Sequence, residues 1–158
     1  MTKAFIIFFV TRKITRAVAS ISKQLQSKLY IGNLDAERDW GHAKDYVRAM
    51  WKILNQKQPD DFVIATNQQK TIKEFINIVS KKLNFKLKWK GKGLNEHAVD
   101  QNNKVIIKID KRYFRPLEVK NLKGDYSKAK RILKWKPEIS LTQLIDEMIN
   151  FELKINDK

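Results

Sequence analysis

The sequence predicts an α/β protein, and three observations carry that prediction. Residues 71–83 place apolar side chains at helical spacing behind a Thr71/Glu74 pair of capping-box form. Phe62-Val63-Ile64-Ala65 is an unbroken apolar run of strand length, the kind buried on both faces in a parallel sheet. Phe85, Leu87 and Trp89 alternate with lysines, the period-2 signature of a half-buried strand.

Taken in order, the elements begin with an apolar run, Ala4-Phe5-Ile6-Ile7-Phe8-Phe9-Val10, behind Met1-Thr2-Lys3. Its seven residues fall far short of the roughly 20 that span a bilayer, and no small-residue cleavage site follows directly, so a secretory signal is not expected. A buried strand and a truncation scar both remain open for it. Ile14, Val18, Ile21 and Leu25 then fall on one face of a helix over residues 11–26. Leu29-Tyr30-Ile31 reads as a short extended segment ended by Gly32-Asn33, with a polar loop over residues 35–41. A second helix starts near His42, with Val47, Met50, Trp51 and Leu54 as its expected core face, and Pro59-Asp60-Asp61 breaks it ahead of the strand at 62–65.

The Thr71 helix buries Ile72, Phe75, Ile76, Val79 and Leu83, and Gly91-Lys92-Gly93 turns the chain after the lysine-alternating strand. Val105 to Ile109 supplies a further strand. Asp125 can cap a helix running through Ala129 and Leu133, and Ser140 with Gln143 forms a second capping box ahead of Leu144, Ile145, Met148 and Phe151. No internal repeat, low-complexity linker or second domain boundary interrupts the pattern, so residues 1–158 are expected to form a single partial domain with 1–8 as an atypical apolar leader.

Composition narrows the function classes. Apolar residues make up 42% and charged residues 32%, spread along the whole chain, as in a soluble globular protein. There is no cysteine, which excludes disulfides and cysteine-ligated zinc and points to a reducing, cytoplasmic setting. The net charge of +16 raises nucleic acid or an anionic membrane as partners, but the lysines are scattered and no zinc-finger or RNA-recognition pattern accompanies them. The expectation is therefore no membrane partner and a lysine-biased surface more than a nucleic-acid site, with a non-catalytic basic binding module for nucleic acid or another polyanion as the rival reading. Asp35, Glu37 and Asp39 alternate without a further ligand set, so no metal is expected. His42 and His97 have no serine in an elbow-like context and read as capping or surface groups, and no Gly-rich dinucleotide turn opens a helix after a buried strand.

Three stretches stand out: Val10-Thr11-Arg12-Lys13-Ile14-Thr15-Arg16-Ala17, the run from Gly32-Asn33-Leu34-Asp35 through Arg38-Asp39-Trp40-Gly41-His42 to Tyr46-Val47, and Arg112-Tyr113-Phe114-Arg115-Pro116-Leu117-Glu118-Val119. Pro59 to Thr66, Gly124-Asp125 with Ser127-Lys128-Ala129-Lys130, and Trp135-Lys136-Pro137 continue the pattern. In this order and spacing the chain resembles the carboxy-terminal, substrate-binding portion of a GDP-mannose 4,6-dehydratase, over about residues 9 to 152. The resemblance implies the carboxy-terminal part of an extended short-chain dehydrogenase, of the epimerase/dehydratase group: an incomplete Rossmann-type sheet plus a substrate-binding subdomain.

Guanidinium groups hold phosphate oxygens through paired, charge-assisted hydrogen bonds, which makes Arg38 and Arg115 candidates for a nucleotide-sugar pyrophosphate. A salt bridge from Arg38 to Asp35 or Asp39 is the competing reading. Lys13, near a helix start, is a candidate for nucleotide or phosphate, with Val10 and Thr11 lining the pocket. By resemblance, Glu118 hydrogen-bonds the guanosine ribose or base edge. Arg12, Arg16 and Arg112 read as surface or interface charges, and Trp40, Trp51, Trp89 and Trp135 as core or lid aromatics.

The resemblance further implies conversion of GDP-mannose to GDP-4-keto-6-deoxymannose with NADP, in an oligomer. The family's cofactor fingerprint and catalytic groups precede the matched segment, so no catalytic or cofactor-binding residue is assigned. Tyr126 with Lys130 has the Tyr-x-x-x-Lys spacing but lies far downstream of the family's pair. Alone, the chain is expected to be inactive and to depend on a separate amino-terminal half. Lys111 and Tyr126 stand where the family usually has proline, and residues 1–8 replace a polar approach where cofactor phosphate and a neighbouring subunit would be contacted.

Overall fold

A computed structural model describes residues 10–119 and 121–156. The apolar leader lies outside them. The chain begins with α1 (Val10–Ser22), β1 (Leu29–Ile31), β2 (Glu37–Asp39), α2 (Ala43–Leu54), β3 (Gln69–Thr71) and α3 (Ile72–Lys82). It continues with β4 (Lys88–Lys90), β5 (His97–Val99), β6 (Val105–Ile109), α4 (Ser127–Ile132) and α5 (Leu141–Asn156), and short 3-10 turns stand at Gly93–Asn95 and Lys111–Tyr113.

Four strands form a mixed sheet in the order β1-β6-β5-β4, with β1 parallel to β6 and the other pairs antiparallel. Helices α1, α3 and α5 pack together, and their apolar faces (Ile14, Val18, Phe75, Ile76, Val79, Ile145, Ile149) close the main core over Leu29, Ile31, Ala98, Ile106 and Ile107. Both capping boxes form. The Thr71 hydroxyl accepts from the Glu74 amide at 3.0 Å while the Glu74 carboxylate accepts from the Thr71 amide at 2.8 Å, and Ser140 and Gln143 repeat the exchange. His42 caps α2, its Nδ1 accepting from the Lys44 amide at 3.1 Å.

Several expectations are corrected. Helix α1 ends at Ser22, because Gln24 adopts φ +60° and reverses the chain, leaving Leu25 exposed. Part of the expected polar loop at 35–41 is instead a strand, β2, paired antiparallel with β3, and β5 joins the main sheet where no strand was expected. Residues 62–65 run without a ladder partner among the described residues, and only Ala65 is buried.

The largest correction concerns α2. Val47, Met50, Trp51 and Leu54 are exposed, Trp51 at 68%, and the buried face is Asp45 and Ala49. Ala49 packs with Ala129, Leu133 and Trp135 in a second, smaller core that Phe62 and Ile64 flank. The helix is turned this way by Asp45. Its carboxylate accepts from the Glu138 and Ile139 amides at 3.0 Å each, and its carbonyl accepts from the Trp135 indole at 2.9 Å.

Helix α5 is turned likewise. Ile145 and Ile149 point inward and Phe151 outward, while the buried Glu152 accepts from Arg12 Nε at 2.8 Å. Arg12, read as a surface or interface charge, joins α1 to α5. Among the described residues, no helix is long and apolar enough to cross a membrane.

Candidate sugar-nucleotide site

A cavity of about 470 Å³ lies where α1, the end of β1, β2 and the segment after β6 converge. Val10 and Lys13 reach it from the first turn of α1, Arg38 from β2, and Arg115 and Glu118 from the 114–119 segment. Five of the six candidate residues thus line one cavity. Thr11 does not line it; its carbonyl accepts from the Thr15 hydroxyl within α1.

Strand alternation decides where Arg38 points. Successive side chains of β2 face opposite sides, so Arg38 turns into the cavity while Asp39 turns to the 66–67 turn, accepting from the Thr66 amide at 2.9 Å and its hydroxyl at 2.6 Å. A bridge from Arg38 to Asp39 is therefore not made. Arg38 pairs instead with Glu118 and donates to the Glu37 carbonyl at 2.7 Å and the Val119 carbonyl at 2.8 Å. It ties the 115–119 segment to β2 and holds the Glu118 carboxylate at the cavity wall.

Arg115 is held differently. Its backbone is clamped by Asn33, which accepts from the Arg115 amide at 2.8 Å and donates to its carbonyl at 2.8 Å. The guanidinium is left 81% exposed, 4.0 Å from Glu118. The backbone is thus fixed while the side chain extends into solvent with one long ion pair, to Glu118.

The opposite wall rests on Gly32. A Cβ there would lie 2.0 Å from the Tyr113 carbonyl oxygen, so only glycine lets the end of β1 pass this close to the 3-10 turn. Asp110 builds that turn by accepting from the Arg112 amide at 2.9 Å, and Arg112 returns to it at 2.6 Å. These bonds hold the Asp110 carboxyl down at about 2. Tyr113 is thereby set beside Lys13, whose ammonium lies 3.3 Å from the ring centroid. Burial pushes the Lys13 ammonium below its ordinary value, with the nearby Asp110 opposing the shift.

Tyr113 and Asn33 were not singled out as site residues from the sequence. Both lay within the quoted stretches, but only the tertiary contacts give them a role. Glu118 also borders a second cavity of about 290 Å³, shared with Asp35 and Glu96, so the cationic cavity opens beside an acidic one.

Comparison with known proteins identifies the family. Residues 6–148 match the family described as GDP-mannose 4,6 dehydratase. The chain is 48% identical over 158 residues to a GDP-mannose 4,6-dehydratase of Vibrio cholerae, covering 93% of this chain and 42% of that protein. It is 46% identical over 147 residues to GDP-mannose 4,6 dehydratase 2 of Caenorhabditis elegans, covering 93% of this chain and 38% of the relative. The chain therefore spans about two fifths of the length of the curated relatives it matches.

Among solved structures, RMD from Pseudomonas aeruginosa complexed with NADPH is similar with a TM-score of 0.75 at 19% identity, over 94% of this chain and 44% of that one. A dTDP-glucose 4,6-dehydratase from Bacillus anthracis in complex with NAD is similar at 0.66 and 18% identity, over 91% of this chain and 39% of that one. These likenesses show the fold, that of the extended short-chain dehydrogenases. The sequence match carries the assignment further: the chain belongs to the GDP-mannose 4,6 dehydratase family.

Proposed function

We propose that this chain provides the sugar-nucleotide pocket of a GDP-mannose 4,6-dehydratase and takes GDP-mannose or a related GDP-sugar as its ligand. The observation that carries the reading is the convergence of Lys13, Arg38, Arg115 and Glu118 on one cavity. Three cations against one carboxylate leave two positive charges, matching the roughly two negative charges of a sugar-nucleotide diphosphate. Arg115 takes the phosphates first, being the exposed guanidinium, and Lys13 neutralises them from the other wall. Glu118, already oriented by Arg38, presents its carboxylate to hydroxyl or amide donors of the nucleoside. Val10 and Ile72 supply apolar wall.

The cofactor of the family reaction does not fit the described residues. A dinucleotide cradle needs a glycine turn leading from a parallel strand into a helix N-terminus. Gly32 follows the parallel strand β1 but leads into β2, Gly41 leads into α2 but follows the antiparallel β2, and Gly91 follows the antiparallel β4 ahead of a three-residue 3-10 turn that Gly93 opens. On this reading the residues of the cavity bind and orient the ligand and carry out no chemical step themselves. NADP binding and proton transfers belong to an amino-terminal part of the fold, and the chain alone does not turn over GDP-mannose.

The test is calorimetric titration of the folded chain with GDP-mannose at moderate salt. Saturable binding that prefers guanine to adenine nucleotides and falls at least tenfold in Arg115→Ala is expected. Binding that ignores the base and collapses steeply with salt would replace this reading with a polyanion module.

A further inference from the structure

Lysines far apart in the sequence converge on one face of the four-stranded sheet. Helices α1, α3 and α5 close the core over the face that bears Leu29, Ile31, Ala98 and Ile107. Successive residues of a strand alternate sides, so the opposite face bears Tyr30 from β1, Lys108 from β6, His97 from β5 and Lys90 from β4. The register sets these four in one row across the sheet, Lys90 beside His97, His97 beside Lys108 and Lys108 beside Tyr30. With about 4.8 Å between strands, the row is about 14 Å long. Lys88 stands on the same face of β4, two residues before Lys90.

This face holds positive charge with no counter-charge. None of the four strands contains an aspartate or a glutamate. Several lysines elsewhere are paired, Lys70 with Glu74, Lys73 with Glu96, Lys82 with Asp146 and Lys128 with Asp60. Lys88, Lys90 and Lys108 are exposed and have no carboxylate partner among the described residues. The rings alternate with them: His97 is anchored by its Nδ1 donating to the Asn95 carbonyl at 2.9 Å, and Tyr30 is 42% exposed. At the β1 edge, Tyr30 also lines a cleft of about 230 Å³ with the exposed Arg16, Gln26 and Tyr113.

We propose that this face binds single-stranded nucleic acid, with Lys88, Lys90 and Lys108 on the phosphates and the Tyr30 and His97 rings on the bases. Charge complementarity calls for a polyanion, and the rings select which one. Unpaired bases stack on exposed rings beside a cationic track, whereas a sulfated polysaccharide has no base to offer them. Duplex bases are already stacked, and the face of a four-stranded sheet is wider than the helix or two-stranded ribbon that a major groove admits. An anionic membrane would call for apolar side chains to insert beside the cations, and the row carries none. None of these residues lines the proposed GDP-sugar cavity, so the two sites are separate.

The experiment titrates the full chain into a fluorescein-labelled oligothymidylate of about eight nucleotides and follows anisotropy. Saturable binding is expected, with a log–log salt slope of about −2, since each of three lysines on a single strand contributes about −0.7. Lys90→Glu combined with Lys108→Glu, both at exposed positions, is expected to weaken binding by about tenfold or more while circular dichroism and GDP-mannose binding stay unchanged. Tyr30→Thr keeps a strand-forming side chain without the ring and is expected to weaken binding about fivefold or more, while Tyr30→Phe keeps it. Arg115→Ala is expected to lose GDP-mannose and keep the oligonucleotide, so failure of the pocket reading and failure of this one register separately. The proposal is overturned by an absence of saturable binding or by equal affinity in the doubly reversed variant. It is also overturned if Tyr30→Thr binds as tightly as the wild type, which leaves a surface that reads charge alone, or if phosphatidylserine vesicles take the chain in preference to the oligonucleotide.

Discussion

Asp45 is 1% exposed and ties α2 to the 135–139 segment, which makes Asp45→Ala the sharpest stability test. Removing the carboxylate strips acceptors from the Glu138 and Ile139 amides, and a buried donor without a partner costs about 1–3 kcal/mol. The bond to Arg48 adds less, because that side chain is 35% exposed and also pairs with Glu138. The total is about 3–5 kcal/mol, a large share of the roughly 5–15 kcal/mol that holds an ordinary domain together. With a urea slope of about 2 kcal/mol per molar, the unfolding midpoint should fall by about 1.5–2.5 M. Asp45→Asn keeps one neutral acceptor and should lose about 1–2 kcal/mol. Urea unfolding followed by far-ultraviolet circular dichroism reads both. An alanine midpoint within about 0.5 M of wild type would show that the 45–139 contacts do not set the orientation of α2.

Two further predictions concern the cavity. Gly32→Ala forces a methyl group to within 2.0 Å of the Tyr113 carbonyl, so the turn must move; about 1–3 kcal/mol of stability and most GDP-mannose affinity should be lost by urea unfolding and calorimetry. Gly93→Ala meets no atom within 4 Å and should cost only the left-handed backbone term, about 1–2 kcal/mol, with binding intact. Lys13 has a folded value below its unfolded one, so its charged form costs stability at neutral pH, and that cost is relieved as pH rises through the folded value. Diphosphate binding needs the ammonium, so affinity should decline at a lower alkaline pH than an exposed lysine would give, with proton uptake on binding there. Titrations in buffers of differing ionisation heat check this, and Lys13→Arg should abolish the alkaline decline.

The local part of this structure was legible in the sequence. The Thr71/Glu74 and Ser140/Gln143 boxes, His42 as a cap and the strand Val105–Ile109 all form as read, because each depends on residues within one or two turns of chain. Membership of the dehydratase family was also legible in the quoted motifs, and those motifs led to five residues that share a cavity. Tertiary contacts decided the rest. Helical spacing showed that α2 is amphipathic, but its apolar side faces water because Asp45 and Ala49 find partners 80 to 94 residues away in Ala129, Trp135, Glu138 and Ile139. The same holds for Arg38, whose role turns on Glu118, 80 residues distant. Periodicity fixes which side chains share a face. Which face is buried depends on what the rest of the fold brings against it.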